Sequence, residues 1–235
     1  LVPSYALETY EKAQKQHNRF LTGRYLVTDL RHNIDFTNHY MNIEIKKSLK
    51  PVNYNKAIKF LEKRLLGIHQ NKSNELLWIL NHPSIYTGGT NYKKNEILDN
   101  SIKVIDSSRG GKLTWHGSGQ LVCYFVLDLK KRNKDIRLLI KKIEQTIIET
   151  INSYKIESHS DRQNIGIWVY QNNKKKKVAA IGIKLKKWIA YHGFSINIDN
   201  DLEPYSKILP CGVTEDKVTT LKNCKNQNYK DFKNK

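Results

Sequence analysis

Two periodicities of apolar and polar residues run along this chain, and together they predict both helices and strands. Apolar residues recur at helical spacing over residues 53–65 and 136–151, with charged residues between them, which indicates two amphipathic helices. Short apolar runs predict strands at residues 76–80, 102–105, 121–129, 166–170, 178–185 and 188–198.

The order of these elements favours an α+β fold, in which a central mixed, mainly antiparallel sheet is flanked by helices. Loops are predicted at residues 87–91, a candidate pocket wall, and at the glycine-rich residues 109–120. A polar turn at residues 171–176 joins two predicted strands. The lysines at 174–177 are predicted to form a solvated hairpin tip, except that Lys177 begins the next strand.

The length of 235 residues suits one domain with an appendage. Residues 1–49 are predicted to be an N-terminal extension, because the only methionine, Met41, is a candidate native start. Upstream translation, a cloning remnant and a natural extension all stay open for the first 40 residues. Residues 50–235 are predicted to form the folded domain, and their abrupt, charged C-terminus is a candidate truncation.

The composition narrows the class of protein. No uninterrupted apolar run approaches the ~18 residues that a membrane span requires. The three cysteines cannot all pair and nothing resembles a signal peptide, so we expect the reducing cytoplasm. We also expect a monomer. The eight histidines are scattered without the short spacing of a zinc site, so we expect no metal.

The net charge of +19 raises the question of nucleic-acid binding. However, 33 of the 41 basic residues are lysine, whereas base readout and paired phosphate contacts favour arginine. A basic surface equally suits acidic protein partners, whose encounter it accelerates. Both interpretations of the charge stay open at this point.

One cysteine stands in a setting typical of a reactive group. Cys211 lies between Pro210 and Gly212, while Lys177 opens a strand-like run and could hold the thiol as a thiolate. A cysteine is more often a small buried hydrophobic residue, and we interpret Cys123, within the longest apolar run, as structural. The pair of Cys211 and Lys177 indicates acyl transfer.

The glycine-rich segment is the second candidate for chemistry. Residues 109–120 contain four glycines with Arg, Thr, His and Gln interleaved, so the backbone can approach a slender ligand closely. The segment lacks the Gly-Lys-Ser/Thr ending that places a lysine and a hydroxyl on phosphate and magnesium, so ATP is not implied.

Four motifs in order give the chain a family resemblance. RGGKLTWHGSGQ, KVAAIGIKL, YHGFSINI and LPCGV, with HPSIYTGGTNY before them, resemble the octanoyltransferases of the lipoate-protein ligase B family over about residues 50–225. The resemblance implies an α/β fold shared with the catalytic modules of biotin protein ligases. It also implies transfer of an octanoyl group from the phosphopantetheine arm of acyl carrier protein, without ATP or a metal. The acceptor is a lysine on lipoyl domains, in the E2 subunits of 2-oxoacid dehydrogenases and in the glycine cleavage H protein.

The resemblance also assigns roles to residues. Cys211 matches the cysteine that carries the acyl thioester, and Lys177 matches the lysine that lowers the pKa of that cysteine. Lys175, Lys176 and Lys184 are rivals on the residues alone, and the family register selects Lys177. The segments implied to bind the acyl group are small or apolar for the most part: Arg109, Gly110, Gly111, Lys112, Leu113, Thr114, Trp115, His116, Ala180, Ile181, Gly182, Gly193, Phe194 and Ser195. Ser118 stands where the family has proline, which loosens the loop without removing a catalytic group.

Two other classes of function remain. An ATP-dependent lipoate or biotin ligase would share the fold, but we see no nucleotide loop for it. A basic nucleic-acid-binding module would depend on surface charge and would tolerate loss of Cys211.

Overall fold

The two amphipathic segments form helices in the computed structural model, which describes residues 43–210, 217–229 and 232. Helix α1 spans Tyr54–His69 and helix α2 spans Ile136–Ser153. Each begins after a residue whose side chain accepts a hydrogen bond from a backbone N–H of the first turn, Asn53 for α1 and Asp135 for α2. A third helix, α3, is a single turn over Leu221–Cys224.

Within the described ranges, ten strands form two sheets. In chain order they are β1 (Ile43–Lys47), β2 (Glu75–Leu80), β3 (Ile85–Gly88), β4 (Val104–Asp106), β5 (Leu113–His116), β6 (Gln120–Asp128), β7 (His159–Ser160), β8 (Ile167–Gln171), β9 (Lys174–Lys186) and β10 (Ile189–Asn197). The large sheet has the order β1-β2-β6-β10-β9-β8-β7, and the small one has the order β4-β3-β5. Only β1 with β2 and β3 with β4 pair in parallel among the described strands, which confirms a mixed, mainly antiparallel sheet.

Strand β6 separates two apolar cores, because successive side chains of a strand point to opposite faces. Val122, Tyr124 and Val126 pack on the α1 side. Cys123 and Phe125 pack on the α2 side with the apolar face of that helix. The sheet is therefore flanked by helices as predicted. Cys123 is a core residue whose thiol pKa is raised by burial.

The glycine-rich segment is not the continuous loop that the sequence predicted. Residues 113–116 within it form β5, which pairs antiparallel with β3, and the predicted loop at 87–91 begins inside β3. Glycine content is a local signal for a turn, whereas pairing with a distant strand is not visible locally.

The lysine run also differs from the prediction of a solvated hairpin tip. The turn is only two residues, Asn172 and Asn173, with φ of 50° and 58°. Asparagine tolerates this left-handed conformation, which suits the tightest hairpin turns. All four lysines therefore belong to β9.

The sheet begins before the predicted domain boundary. Strand β1 lies within residues 1–49, yet it pairs with β2 from Ile43 to Lys47. The other residues of that segment, 1–42, lie outside the described residues, as do 230–231 and 233–235 at the C-terminus. No helix in the described part of the chain is long and apolar enough to cross a membrane.

A buried ion pair ties β2 to the turn after β6. The Arg132 guanidinium donates from both terminal nitrogens to the Glu75 carboxylate, at 2.6 Å each, and neither side chain is more than 3% exposed. The backbone N–H of Asp128 donates to the same carboxylate at 2.6 Å. Removing the Glu75 carboxylate would take two charge-assisted hydrogen bonds from a fully buried guanidinium.

We expect Glu75→Ala to lower the free energy of unfolding by about 3–5 kcal/mol, because it removes both charge-assisted hydrogen bonds between the buried Arg132 guanidinium and this carboxylate. Urea unfolding measures the change. The matched control is Glu44→Ala, which removes the half-exposed partner of Arg64 on β1 and should cost at most about 1 kcal/mol. Equal losses in the two variants would contradict this account of the pair.

Candidate functional site

Arg109 holds the glycine-rich loop against the small sheet. Its Nη2 donates to the Thr87 carbonyl at 2.9 Å, the Thr87 hydroxyl at 3.0 Å and the Lys112 carbonyl at 2.9 Å. Gly111 adopts a φ of +92°, and a Cβ on Gly89 would lie 2.4 Å from the Gly111 carbonyl oxygen. The loop conformation thus depends on glycine and on one arginine used as a hydrogen-bond donor to protein oxygens.

Small residues on β9 and β10 make room beneath this loop. Gly182 pairs with Gly193, and Ala180 pairs with Ser195. A Cβ on Gly193 would lie 1.9 Å from the Cys123 carbonyl oxygen, so this position requires glycine. The loop crosses β9 where the Gly110 N–H donates to the Ile183 carbonyl at 3.2 Å.

The loop and these strands enclose a cavity of about 560 Å³. That volume is in the range of small-molecule sites, about 300–1,000 Å³. Thirteen of the residues predicted for the site line it: Arg109, Gly110, Gly111, Lys112, Thr114, His116, Lys177, Ala180, Ile181, Gly182, Gly193, Phe194 and Ser195.

Two of the predicted acyl-binding residues lie away from the cavity. Leu113 and Trp115 are buried in a separate apolar cluster with Tyr205, Ile208 and Val218, and they do not line the cavity. The reason is that residues 113–116 form a strand, so Thr114 and His116 face the cavity while their neighbours face away.

Lys177 lies in the cavity wall with 5% of its surface exposed. Its Nζ donates to the Ile165 carbonyl at 3.1 Å and lies 4.7 Å from the centre of the Trp168 ring. Its backbone carbonyl accepts from the Thr219 N–H at 3.0 Å, beside a parallel bridge to Val218. Cys211 lies outside the described residues, so its proximity to Lys177 stays a prediction.

The rival lysines are placed differently. Lys175 forms an ion pair with Asp161. In the described part of the chain, neither it nor Lys176 or Lys184 lines the cavity. The geometry therefore favours Lys177 among the four, as the family register does.

The cavity also has polar aromatic residues that sequence reasoning missed. Tyr124 lines it, and its hydroxyl lies 2.9 Å from His82 Nε2. The other ring nitrogen, His82 Nδ1, lies 2.6 Å from the Val52 carbonyl, which can only accept, so Nδ1 carries the proton and Tyr124 donates to Nε2. Burial lowers the pKa of His82, which keeps it neutral.

His192 lines the cavity in a strained backbone conformation. Its φ is +70°, and its ring stacks on that of the adjacent Tyr191 with centroids 4.6 Å apart. In a regular strand the two rings would point to opposite faces. Its Nδ1 is buried without a hydrogen-bond partner among the described residues. Burial lowers the pKa of His192 to about 3, and that of His116 likewise to about 3.

The described residues contain no group of three or more His, Cys, Asp or Glu side chains that could hold a metal ion.

The sequence matches the family described as lipoyl protein ligase A/B catalytic domain over residues 53–235. The chain belongs to this family. An octanoyltransferase of Wolbachia sp. subsp. Brugia malayi is 42% identical over 172 residues, which cover 73% of this chain and 84% of that protein. An octanoyltransferase of Ehrlichia chaffeensis is 41% identical over 196 residues, which cover 82% and 92% respectively.

Solved structures of lipoate protein ligases share the fold. A crystal structure of lipoate-protein ligase A bound with ATP superposes with a TM-score of 0.60 at 15% identity, over 81% of each chain. A bipartite lipoate protein ligase from Thermoplasma acidophilum superposes with a TM-score of 0.62 at 14% identity, over 83% of this chain and 80% of that one. The predicted likeness to ligase catalytic modules is thereby confirmed at the level of fold.

The lowered pKa of His192 predicts acid sensitivity of this family member. Below about pH 6.5 the unfolded chain protonates this histidine while the folded one stays neutral, so stability falls as the pH falls from about 7 towards 3. Asparagine tolerates the positive φ, so His192→Asn should fold. Between pH 7.5 and 5 we expect the free energy of unfolding of this variant to fall by about 2 kcal/mol less than that of the native chain.

Urea unfolding at several pH values measures these slopes. The matched control is His69→Asn at the exposed end of α1, whose slope should follow that of the native chain. A native slope retained in His192→Asn would show that burial of this ring does not contribute.

Proposed function

We propose that this protein is an octanoyltransferase, which moves an octanoyl group from acyl carrier protein to a lysine of lipoyl domains. The observation that carries the proposal is the buried Lys177 in the wall of a cavity lined by small residues. The similarity to named octanoyltransferases supports the same acyltransferase activity. The proposed partners are acyl carrier protein, the lipoyl domains of dehydrogenase E2 subunits and the glycine cleavage H protein. We propose that the enzyme acts as a monomer in the cytoplasm.

Cys211 is the proposed nucleophile, and chain connectivity supports its pairing with Lys177. Ile208 and Val218, on either side of the undescribed residues 211–216, pack in one apolar cluster. Val218 pairs with Lys177. Ile208 precedes Cys211 by three residues, and a chain spans at most about 3.6 Å per residue, so connectivity limits how far Cys211 can lie from Ile208.

The first half-reaction loads the enzyme. A thiol with a pKa of about 8.5 is mostly protonated at neutral pH, and a neighbouring ammonium favours the thiolate. The Cys211 thiolate attacks the carbonyl carbon of octanoyl carrier protein, which forms one carbon–sulfur bond and breaks the bond to the carrier. The departing carrier thiolate takes a proton from Lys177, which becomes neutral.

The second half-reaction unloads it. The amine of the acceptor lysine attacks the Cys211 thioester, which forms a carbon–nitrogen bond and releases the cysteine as thiolate. Neutral Lys177 takes the proton that the amine loses, so thiolate and ammonium are restored together. One lysine thus serves as acid in the first step and as base in the second.

The cavity suits an alkyl chain. Each buried methylene contributes about 0.8 kcal/mol, so an eight-carbon chain gains substantial affinity. Gly182, Gly193 and Ala180 leave space that larger side chains would fill, and Ile181 and Phe194 offer apolar surface. The walls of this space select the chain length by shape.

The ATP-dependent alternative receives less support from the cations near the cavity. Arg109 donates to three backbone carbonyls and a hydroxyl of the protein. Lys112 forms an ion pair with Glu96. Cations already bound to protein oxygens are poorly available to a triphosphate, which favours transfer from a thioester without ATP.

We expect octanoyl carrier protein to leave one octanoyl group on Cys211, detected by intact mass and peptide mapping. Cys211→Ala should abolish the adduct, whereas Cys224→Ala, which removes a partly accessible free thiol, should keep it. An unchanged adduct in Cys211→Ala would overturn the assignment of the nucleophile.

Lys177→Met should slow both half-reactions by at least about 100-fold, the usual contribution of general acid–base catalysis. Stopped-flow acylation and single-turnover transfer to a lipoyl domain measure the two steps separately. Lys175→Met, from the adjacent ion-paired lysine, is the control and should stay near the native rate. A native rate in Lys177→Met would refute its role. Lipoyl-domain modification from free octanoate and ATP, without carrier protein, would favour the ligase alternative.

A further inference from the structure

An unbroken line of hydrogen bonds runs beneath the cavity from His116 to the backbone of Lys177. His116 Nδ1 lies 2.7 Å from Gln120 Oε1. Gln120 Nε2 donates to Asn197 Oδ1 at 2.9 Å. Asn197 Nδ2 donates to the Thr219 carbonyl at 3.2 Å, and the Thr219 N–H donates to the Lys177 carbonyl at 3.0 Å.

The line is buried throughout. His116, Gln120, Asn197 and Thr219 are each at most 6% exposed. Tyr205 braces its centre, because its hydroxyl lies 3.1 Å from Gln120 Nε2 and 3.2 Å from Asn197 Oδ1. Water cannot readily replace a lost partner here, so each broken link would leave a buried polar group unpaired.

The directions of these hydrogen bonds are determined by the chemistry of the groups. Gln120 Nε2 is a donor, since it lies 3.3 Å from the Trp115 carbonyl, and its Oε1 therefore faces His116. An amide oxygen only accepts, so His116 Nδ1 carries the ring proton. The ring is neutral, and its Nε2 is left as an unprotonated acceptor on a residue that lines the cavity.

We propose that Gln120 and Asn197 are positioning residues: Gln120 holds His116 as a neutral acceptor for an N–H group of the substrate, and Asn197 fixes the backbone of Lys177 relative to it. The consequence for rate depends on the proposed octanoyl transfer, whereas the tautomer of His116 does not. Two N–H groups could be the ligand, an amide of the carrier's phosphopantetheine arm or the amine of the acceptor lysine. They act in different half-reactions.

Long-range ¹H–¹⁵N spectra of the ¹⁵N-histidine-labelled full chain read the tautomer directly, with His116→Gln identifying the signal. We expect the Nδ1–H form in the native chain and in Asn197→Asp, which keeps an acceptor for Gln120. Gln120→Met removes the acceptor and should redistribute the proton between the two ring nitrogens. An Nε2–H tautomer in the native chain would overturn the proposal, and this spectrum decides even if a variant does not fold.

Kinetics separate positioning from general damage. Asn197→Asp loses the donor to Thr219, so kcat should fall by about tenfold to 100-fold with KM unchanged. Gln120→Met should raise KM in one half-reaction only: for octanoyl carrier protein if the arm amide is the ligand, or for the lipoyl domain if the lysine is. Asn200→Asp, a similarly buried amide outside the line that donates to the Asp201 carbonyl, is the matched control.

A merely structural role would make kcat fall and KM rise together in all three variants, in proportion to the decrease in melting temperature of each variant. A native chain that transfers no octanoyl group would refute the proposed function and, with it, the catalytic part of this inference. The tautomer measurement would still stand in that case, so the two failures are distinguishable.

Discussion

The close pairing of β6 with β10 is the constraint on which the rest of the structure depends. At Gly193 the strands approach so closely that a side chain would collide with the Cys123 carbonyl. The pair supports the α1 core on one face and the α2 core on the other. It also presents Tyr124, His192 and Ser195 to the cavity. The packing that stabilises the domain and the geometry of the site therefore rest on the same backbone contact.

Much of the fold follows from local periodicity. Helices α1 and α2 are long enough for their apolar stripes to be unambiguous, and β6 is a continuous apolar run. Strand β5 was not predicted, because four glycines flank it and its partner β3 ends about 25 residues earlier in the chain. Pairing over such a separation depends on the tertiary structure, which a local sequence pattern does not report.

The site divides in the same way. Motif resemblance located the cavity-lining glycines, Lys177 and His116, because these residues stand in ordered motifs. Tyr124 sits within an apolar strand and reads as core, and only its hydroxyl's contact with His82 distinguishes it. His192 belongs to the YHGFSINI motif, but the orientation of its side chain depends on a positive φ that the sequence pattern does not reveal. Roles that arise from one backbone angle or one distant contact are beyond sequence reasoning.

Strand β5 is shared between two environments, with Thr114 and His116 towards the cavity and Leu113 and Trp115 towards the cluster of Tyr205, Ile208 and Val218. That cluster anchors both chain segments that lead to Cys211. Trp115 therefore supports the cavity only through the packing of this cluster, because its indole does not line the cavity. Thr114 is therefore the position on β5 where side-chain volume towards the cavity can change without disturbing that cluster.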